Sequence, residues 1–289
     1  LMASAWGNLV LLNSFAARFG QALALVAKVR AMVPDAAPAG RGVGSLNTAA
    51  TLAQFEGFCL AWTGHVPQAL HAFGTSLRLA DEVGELAVFA RSHCAELYYH
   101  LRDPARVVEN AHHAQRISLQ LGDPSMLQAR VYMALAHAHL AAGRADDAVT
   151  AARAAVALHR TVDRVHAGVS AQLLAEALLQ SGDLPASLAA ADEAVTLCRQ
   201  SLRANYEALA HGVVARALLR RDGAAGCDRA QAALGTAADL VERTGAHLLA
   251  PALAEWRAEL AGMRGDIAGR QHWLDAAARG FAAIKMVGA

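Results

Sequence analysis

The sequence predicts an all-α solenoid of about seven antiparallel helix hairpins. Three observations carry that prediction: a composition dominated by alanine, glycines spaced at near-multiples of forty residues, and a second set of turn signals half a period away. Ala fills 71 of the 289 positions, whereas aromatics make up 5% and Pro only 7 residues. Ala loses no side-chain entropy in a helix, and strands favour β-branched and aromatic residues, so this balance excludes an all-β chain. Gly64, Gly143, Gly182 and Gly265 each close an apolar-periodic stretch, and their separations are 79, 39 and 83 residues. The missing phases fall at Leu101-Arg102-Asp103-Pro104 and Arg221-Asp222-Gly223, where weaker helix stops stand. The second set is Gly84, Gly122 and Gly245. Glycine has no Cβ to clash in the left-handed position that follows a helix, so each of these ends one helix and frees the chain to start another.

Taken in order, the stops define helix pairs at 4–19 with 21–33, 46–63 with 67–83, 86–101 with 104–121, 125–142 with 145–161, 165–181 with 184–201, 204–221 with 226–243, and 247–263 with 267–284. The first pair is read from the apolar tract Leu9-Val10-Leu11-Leu12, with Asn13 ahead of a turn at Gly20. The segment 34–45 holds two Pro and three Gly, so it breaks the array or forms a long surface connection. Residues 1–45 are therefore expected to be a degenerate hairpin plus connection, and 46–289 the repeat array, a fragment of a larger protein. Asp123-Pro124-Ser125 puts a polar cap and a helix-stopping proline before the fourth pair. Asp146 and Asp147 sit where the first turn of a helix favours negative charge.

Charge and motif content narrow the function. Lys+Arg 26 against Asp+Glu 25 leaves a net charge of +1, which gives nucleic acid no surplus to bind. No apolar run approaches the roughly 18 residues that span a bilayer, and the N-terminal apolar tract has no basic region before it, so neither membrane nor secretion is expected. Cys59, Cys94, Cys198 and Cys227 lie too far apart for a zinc ribbon or disulfide framework, which suits reduced, buried thiols in a cytoplasmic protein. No phosphate loop, nucleophile elbow or metalloprotease helix occurs, and Gly40-Arg41-Gly42-Val43-Gly44 lacks the strand and third glycine of a dinucleotide loop. Of thirteen histidines, the neighbours His112 and His113 point about 100° apart, and His137 and His139 face nearly opposite ways, so neither pair addresses one metal ion. The expectation is no enzyme, no metal and no cofactor.

The unit from Ala129 to Leu158 resembles a tetratricopeptide repeat. Tyr132, Leu135, Ala136, Gly143, Ala148 and Ala155 stand at the large, apolar, small, turn and crossing positions of that family. The next unit matches through Leu174, Ala175, Gly182 and Ala194 but has Ser187 at the first small position of its second helix. Around Gly265, Arg257 and Arg270 replace apolar or small residues, so the outer hairpins resemble capping units. The resemblance implies a right-handed superhelix. Its long units, rich in Ala and Arg and ending in Leu-Gly-Asp, are similar to the MalT-like regions found C-terminally in bacterial LuxR-type ATP-dependent regulators and ATPase-linked nucleotide cyclases.

The resemblance also implies that the first helix of each hairpin lines a concave groove. Carried onto this chain, the groove positions hold Gln54, Phe58, Trp62, Glu96, Tyr99, Arg130, Met133, His137, Gln172, Glu176, Arg216 and Arg220, with Ser92, His100, Gln180, Glu255 and Glu259 beside them. The aromatics are placed either to stack on a ligand or to fill space between neighbouring helices. The arginines could fork a carboxylate or phosphate. The expected function is a non-enzymatic regulatory or sensor module of a bacterial signalling or transcription-regulatory protein, binding a peptide, a partner protein or a small effector in the groove. The other reading is a scaffold for homodimerisation or complex assembly, with terminal hairpins pairing through residues such as Trp256 or Trp273.

Overall fold

The computed structural model describes residues 2–32, 48–80 and 84–286, and among them every regular element is helical. The Pro/Gly-rich connection at 34–45 lies outside the described residues. The helices are α1 (Met2–Phe15), α2 (Phe19–Met32), α3 (Thr48–Trp62), α4 (Val66–Leu79), α5 (Glu85–His100), α6 (Pro104–Gln120) and α7 (Ser125–Ala141), then α8 (Ala145–Val162), α9 (Ala167–Ser181), α10 (Leu184–Gln200), α11 (Ala204–Asp222), α12 (Cys227–Thr244), α13 (Ala250–Met263) and α14 (Ile267–Met286). They pair as seven antiparallel hairpins, a tetratricopeptide-like helical repeat fold. Two expected starts move inward, because 3-10 turns at Arg164–His166 and His247–Leu249 lead into α9 and α13. The first turn also differs from expectation. It lies at residues 16–18, with Ala17 at φ 52°, and Gly20 sits inside α2.

One hydrogen-bond motif ends most of the helices. A backbone N–H reaches back five residues to a carbonyl in the last turn, as in His65 to Leu60 (2.8 Å), Asp103 to Tyr98 (3.0 Å), Arg144 to His139 (2.9 Å), Arg203 to Cys198 (2.7 Å) and Asp266 to Ala261 (2.9 Å). This closure leaves one residue left-handed. Gly64, Gly122, Gly143, Gly182, Gly245 and Gly265 take that conformation, and Arg102 and Leu202 take it where the period has no glycine. Gly84 does not: at φ −90° it caps the start of α5 instead of ending α4. Asp103 and Asp183 then cap the next helices, accepting from Arg106 N (3.2 Å) and Ala186 N (3.1 Å). Asp123 works differently from the expected cap, since it accepts from Ser118 Oγ and Gln128 Nε2 across the α6–α7 turn.

Small residues let the helices approach. Ala95, Ala111, Ala134 and Ala138 form one buried seam, and Ala171, Ala194 and Ala210 another. Ser187 fills its small-residue position by donating its buried hydroxyl to Ala175 O at 2.9 Å. Gly212 is needed for close approach: a Cβ there would lie 2.4 Å from the Trp256 ring.

The array also closes on itself. Trp62 of α3 packs against Tyr206 of α11 with ring centroids 5.1 Å apart, and Phe15 of α1 meets His166 at the same separation. Arg102, after α5, pairs with Glu255 of α13 at 2.6 Å and lies 5.9 Å over the Phe281 ring of α14. Gly64 lies against His247 and Ile284. The chain exposes 12798 Å², close to the roughly 11,700 Å² expected of a globular monomer of its mass. An open array would expose a concave face; here that face is the inside of the molecule.

Candidate functional site

The groove positions named from the sequence therefore line an enclosed interior instead of an open trough. Gln54, Phe58, Trp62, Glu96, Arg130, Met133, His137, Gln172 and Glu176 are all buried, Tyr99 and Arg216 are partly covered, and Arg220 is exposed, as are Gln180 and Glu259 beside it. The superhelix winds tightly enough that the N-terminal hairpins cover the inner surface of the C-terminal ones. The interior is strongly polar, and it divides into two layers.

The layer near the ends of α5, α9, α11 and α13 forms the rim. Arg216 Nη1 donates to both carboxylate oxygens of Glu176 at 3.0 Å, and its Nε stands 3.6 Å from Glu259. Burial pushes the Glu176 carboxyl up, but the Arg216 guanidinium overcomes this and holds it below its ordinary value. Arg216 is correspondingly held protonated. Tyr99 lies against His137 with centroids 5.0 Å apart, and Arg220 donates to Leu179 O at 3.1 Å. Burial lowers His137 to about 4 and His100 to about 3, so both are neutral imidazoles.

The deeper layer is built on α3, α5, α7 and the segments leading into α9 and α11. Tyr206 donates its hydroxyl to Glu96 Oε2 at 3.2 Å. Burial raises the Glu96 carboxyl to about 7, against the opposing pull of Tyr206, Arg130 and Arg203. Gln54 Nε2 donates to His93 Nδ1, and Phe58 packs on the same imidazole at 4.9 Å. Arg130 and Arg203 both aim Nη2 at His166 Nε2, at 2.5 and 2.9 Å. An imidazole nitrogen that accepts must be unprotonated, so the His166 proton sits on Nδ1, facing Asp163 Oδ2 at 2.5 Å. Burial, reinforced by the two guanidiniums, drives His166 and His93 well below their ordinary values.

Five residues of this layer escaped the sequence reading: His93, Asp163, His166, Arg203 and Tyr206. Arg203 and His166 lie in the turns before α11 and α9, outside the helix register that selected the groove positions. Only closure of the array carries them inward. His93 follows Ser92, one residue off the selected register, and Tyr206 sits in the first turn of α11, before the stretch where the groove positions of that unit were sought.

No known family model matches the chain, and no curated protein does. Similar solved structures exist at the level of fold. A Rap protein complexed with Competence and Sporulation Factor matches with a TM-score of 0.61 at 12% identity, over 98% of this chain and 99% of that one. The apo form of RapI matches with a TM-score of 0.48 at 8% identity, over 99% of both chains.

Proposed function

We propose that the chain is a non-enzymatic regulatory binding module of a bacterial signalling protein, and that its ligand, a peptide, partner segment or small effector, enters the superhelix interior. One observation carries this reading: the interior holds charged and polar side chains where a purely structural core would hold hydrocarbon. Taking an ionised group out of water costs several kcal/mol, which a partner repays only with good geometry and further hydrogen bonds, and apolar residues of the same volume often stabilise at least as well. The interior also keeps polar atoms with no hydrogen-bond partner among the described residues, including Gln54 Oε1, Arg203 Nε and His137 Nδ1. A surface retained at such cost suits recognition better than stability. The full-length likeness in fold to a Rap protein solved with a bound factor supports the same reading. The long Ala- and Arg-rich repeats, similar to MalT-like regions, support a regulatory setting.

The test is a thermal-shift screen of the protein against short peptides and small effectors, since a ligand that binds only the folded state raises the melting temperature. Tyr99→Ala and Arg220→Ala alter the rim without opening the deep layer, and the reading expects them to weaken a saturable shift. Shifts unchanged by both variants, or none with any class, would count against it.

The scaffold reading keeps one specific support. Met263, Ile267 and Leu274 of the last hairpin are exposed, Ile267 by 83%. Trp256 is not available to such an interface, because it is buried against Gly212. Light scattering on Ile267→Asp decides this: a dimer that becomes monomeric supports it, and a wild-type monomer excludes it.

A further inference from the structure

We propose that Arg130 and Arg203 form a carboxylate-binding node in the interior, covered by the α1–α2 hairpin. This deepens the proposed function and rests on it, because it names the chemistry of the ligand at the deep layer.

The argument starts from unmet hydrogen-bonding capacity. Each guanidinium carries five N–H donors. Among the described residues, each of these two has one hydrogen bond, to the same Nε2 of His166. That nitrogen has a single in-plane lone pair, so it cannot satisfy both. No carboxylate lies within ion-pair distance of either arginine among the described residues, whereas Arg216 has its Glu176. Both side chains are deeply buried, Arg203 at 2% exposure and Arg130 at 5%, and Arg203 Nε has no partner. Their remaining contacts are aromatic faces: Arg130 over Phe89 at 5.3 Å and Arg203 over Phe15 at 3.8 Å. Two buried forks converging on one neutral atom are arranged for an acceptor with several lone pairs, and a carboxylate bridging them supplies that.

Charge balance selects a monoanion. The two guanidiniums bring two positive charges. Asp163 offsets one through His166, whose ring and that of His93 stay neutral. Glu96 is protonated in part near neutrality. The node therefore carries at most one net positive charge, which a monoanion offsets. A phosphate dianion would overshoot and face both Asp163 and Glu96.

The cover is Phe15, the last residue of α1, which lies on Arg203 and meets His166 edge-on. Its neighbour Ala16 lines a cleft of about 490 Å³ together with Leu202 and Ala204, the residues on either side of Arg203. Displacing the end of α1 would expose the node from that side.

The test measures thermal unfolding of the whole protein in sodium acetate, phosphate and chloride at matched ionic strength. Two further probes are acetyl-trialanine with a free C-terminus and its C-terminal amide. A saturable rise with acetate beyond that with chloride or phosphate is expected. Arg130→Gln and Arg203→Gln should weaken it at least tenfold, with the exposed Arg153→Gln as a control. If a glutamine variant does not fold, Arg203→Lys, which keeps the charge and loses the fork, should still weaken binding severalfold, and Phe15→Ala, which uncovers the node, should retain the acetate response. Preference for the peptide acid over its amide assigns the carboxylate to a peptide terminus; a response to acetate alone assigns it to a small free acid. Acetate behaving as chloride in both wild type and Phe15→Ala would overturn the node, as would binding indifferent to every arginine change. Peptide amide bound at the rim in that case would leave the proposed function standing, whereas acetate bound at the arginines with no peptide response would keep the node and remove the peptide ligand.

Discussion

Glu96 shows what enclosure does to a single residue. Its carboxyl sits at about 7 in the fold, above its ordinary value of 4.5, so the folded state holds more protons than the unfolded chain between those values. Its contribution is fully present below pH 4.5 and is lost as pH rises through 7. Glu96→Gln keeps the side-chain shape without the titration. Denaturant melts should show the variant gaining about 2–3 kcal/mol on wild type between pH 5 and pH 8; a constant difference would contradict the assignment. The histidines act in the opposite sense. His100 at about 3, with His137 and His159 at about 4, is neutral in the fold and protonated when unfolded below 6.5. Their contribution is present above pH 6.5 and lost as pH falls through 4, so acid unfolding should take up at least two protons. At the same scale, Gly212→Ala forces a methyl into the Trp256 ring, and equilibrium unfolding should register a loss of about 1–3 kcal/mol. The resemblance to a helical repeat places Glu96 and Arg130 inward, because it assigns them to fixed positions on the first helix of each unit. It did not reveal that Arg203 and His166 join them, because a turn residue has no periodic face to betray where it points.

The helices themselves were legible because a 3.6-residue periodicity and a left-handed stop are both local. Their ends follow the turn motif closely, and the misplacements have local causes. At the first hairpin, Gly20 is a glycine without a turn and Ala17 a turn without a glycine. Gly84 serves as an N-cap, a role glycine also fills. Arg102 and Leu202 show that the five-residue closing bond fixes the turn, and glycine merely eases it. Leu202 carries that strain on an exposed side chain, 59% accessible. Leu202→Gly should therefore stabilise the fold by about 0.5–1 kcal/mol, the left-handed penalty outweighing glycine's larger unfolded entropy; a loss in Tm would show that the Leu202 side chain contributes more than its exposure suggests.

At the scale of the whole molecule, the repeat determines the hairpins but not how far the superhelix winds. That depends on a small rotation at each hairpin, set by which residues interdigitate. Gly212 of α11 against the Trp256 ring of α13 is such a point of close approach between neighbouring hairpins. Summed over seven hairpins, these rotations bring Trp62 onto Tyr206 and Arg102 onto Glu255, turning a predicted groove into an enclosed polar interior. No pattern within one repeat encodes that meeting. The ligand reading and the arginine node depend on it, since an opened array would leave Arg130 and Arg203 hydrated and without special affinity.

Small-angle X-ray scattering of the purified chain tests this closure most directly. The closed superhelix predicts a radius of gyration of about 19 Å, that of a globular domain of its length. An array opened along its axis, with seven hairpins about 10 Å apart, would scatter with a radius of about 22 Å or more, and that result would contradict an enclosed interior.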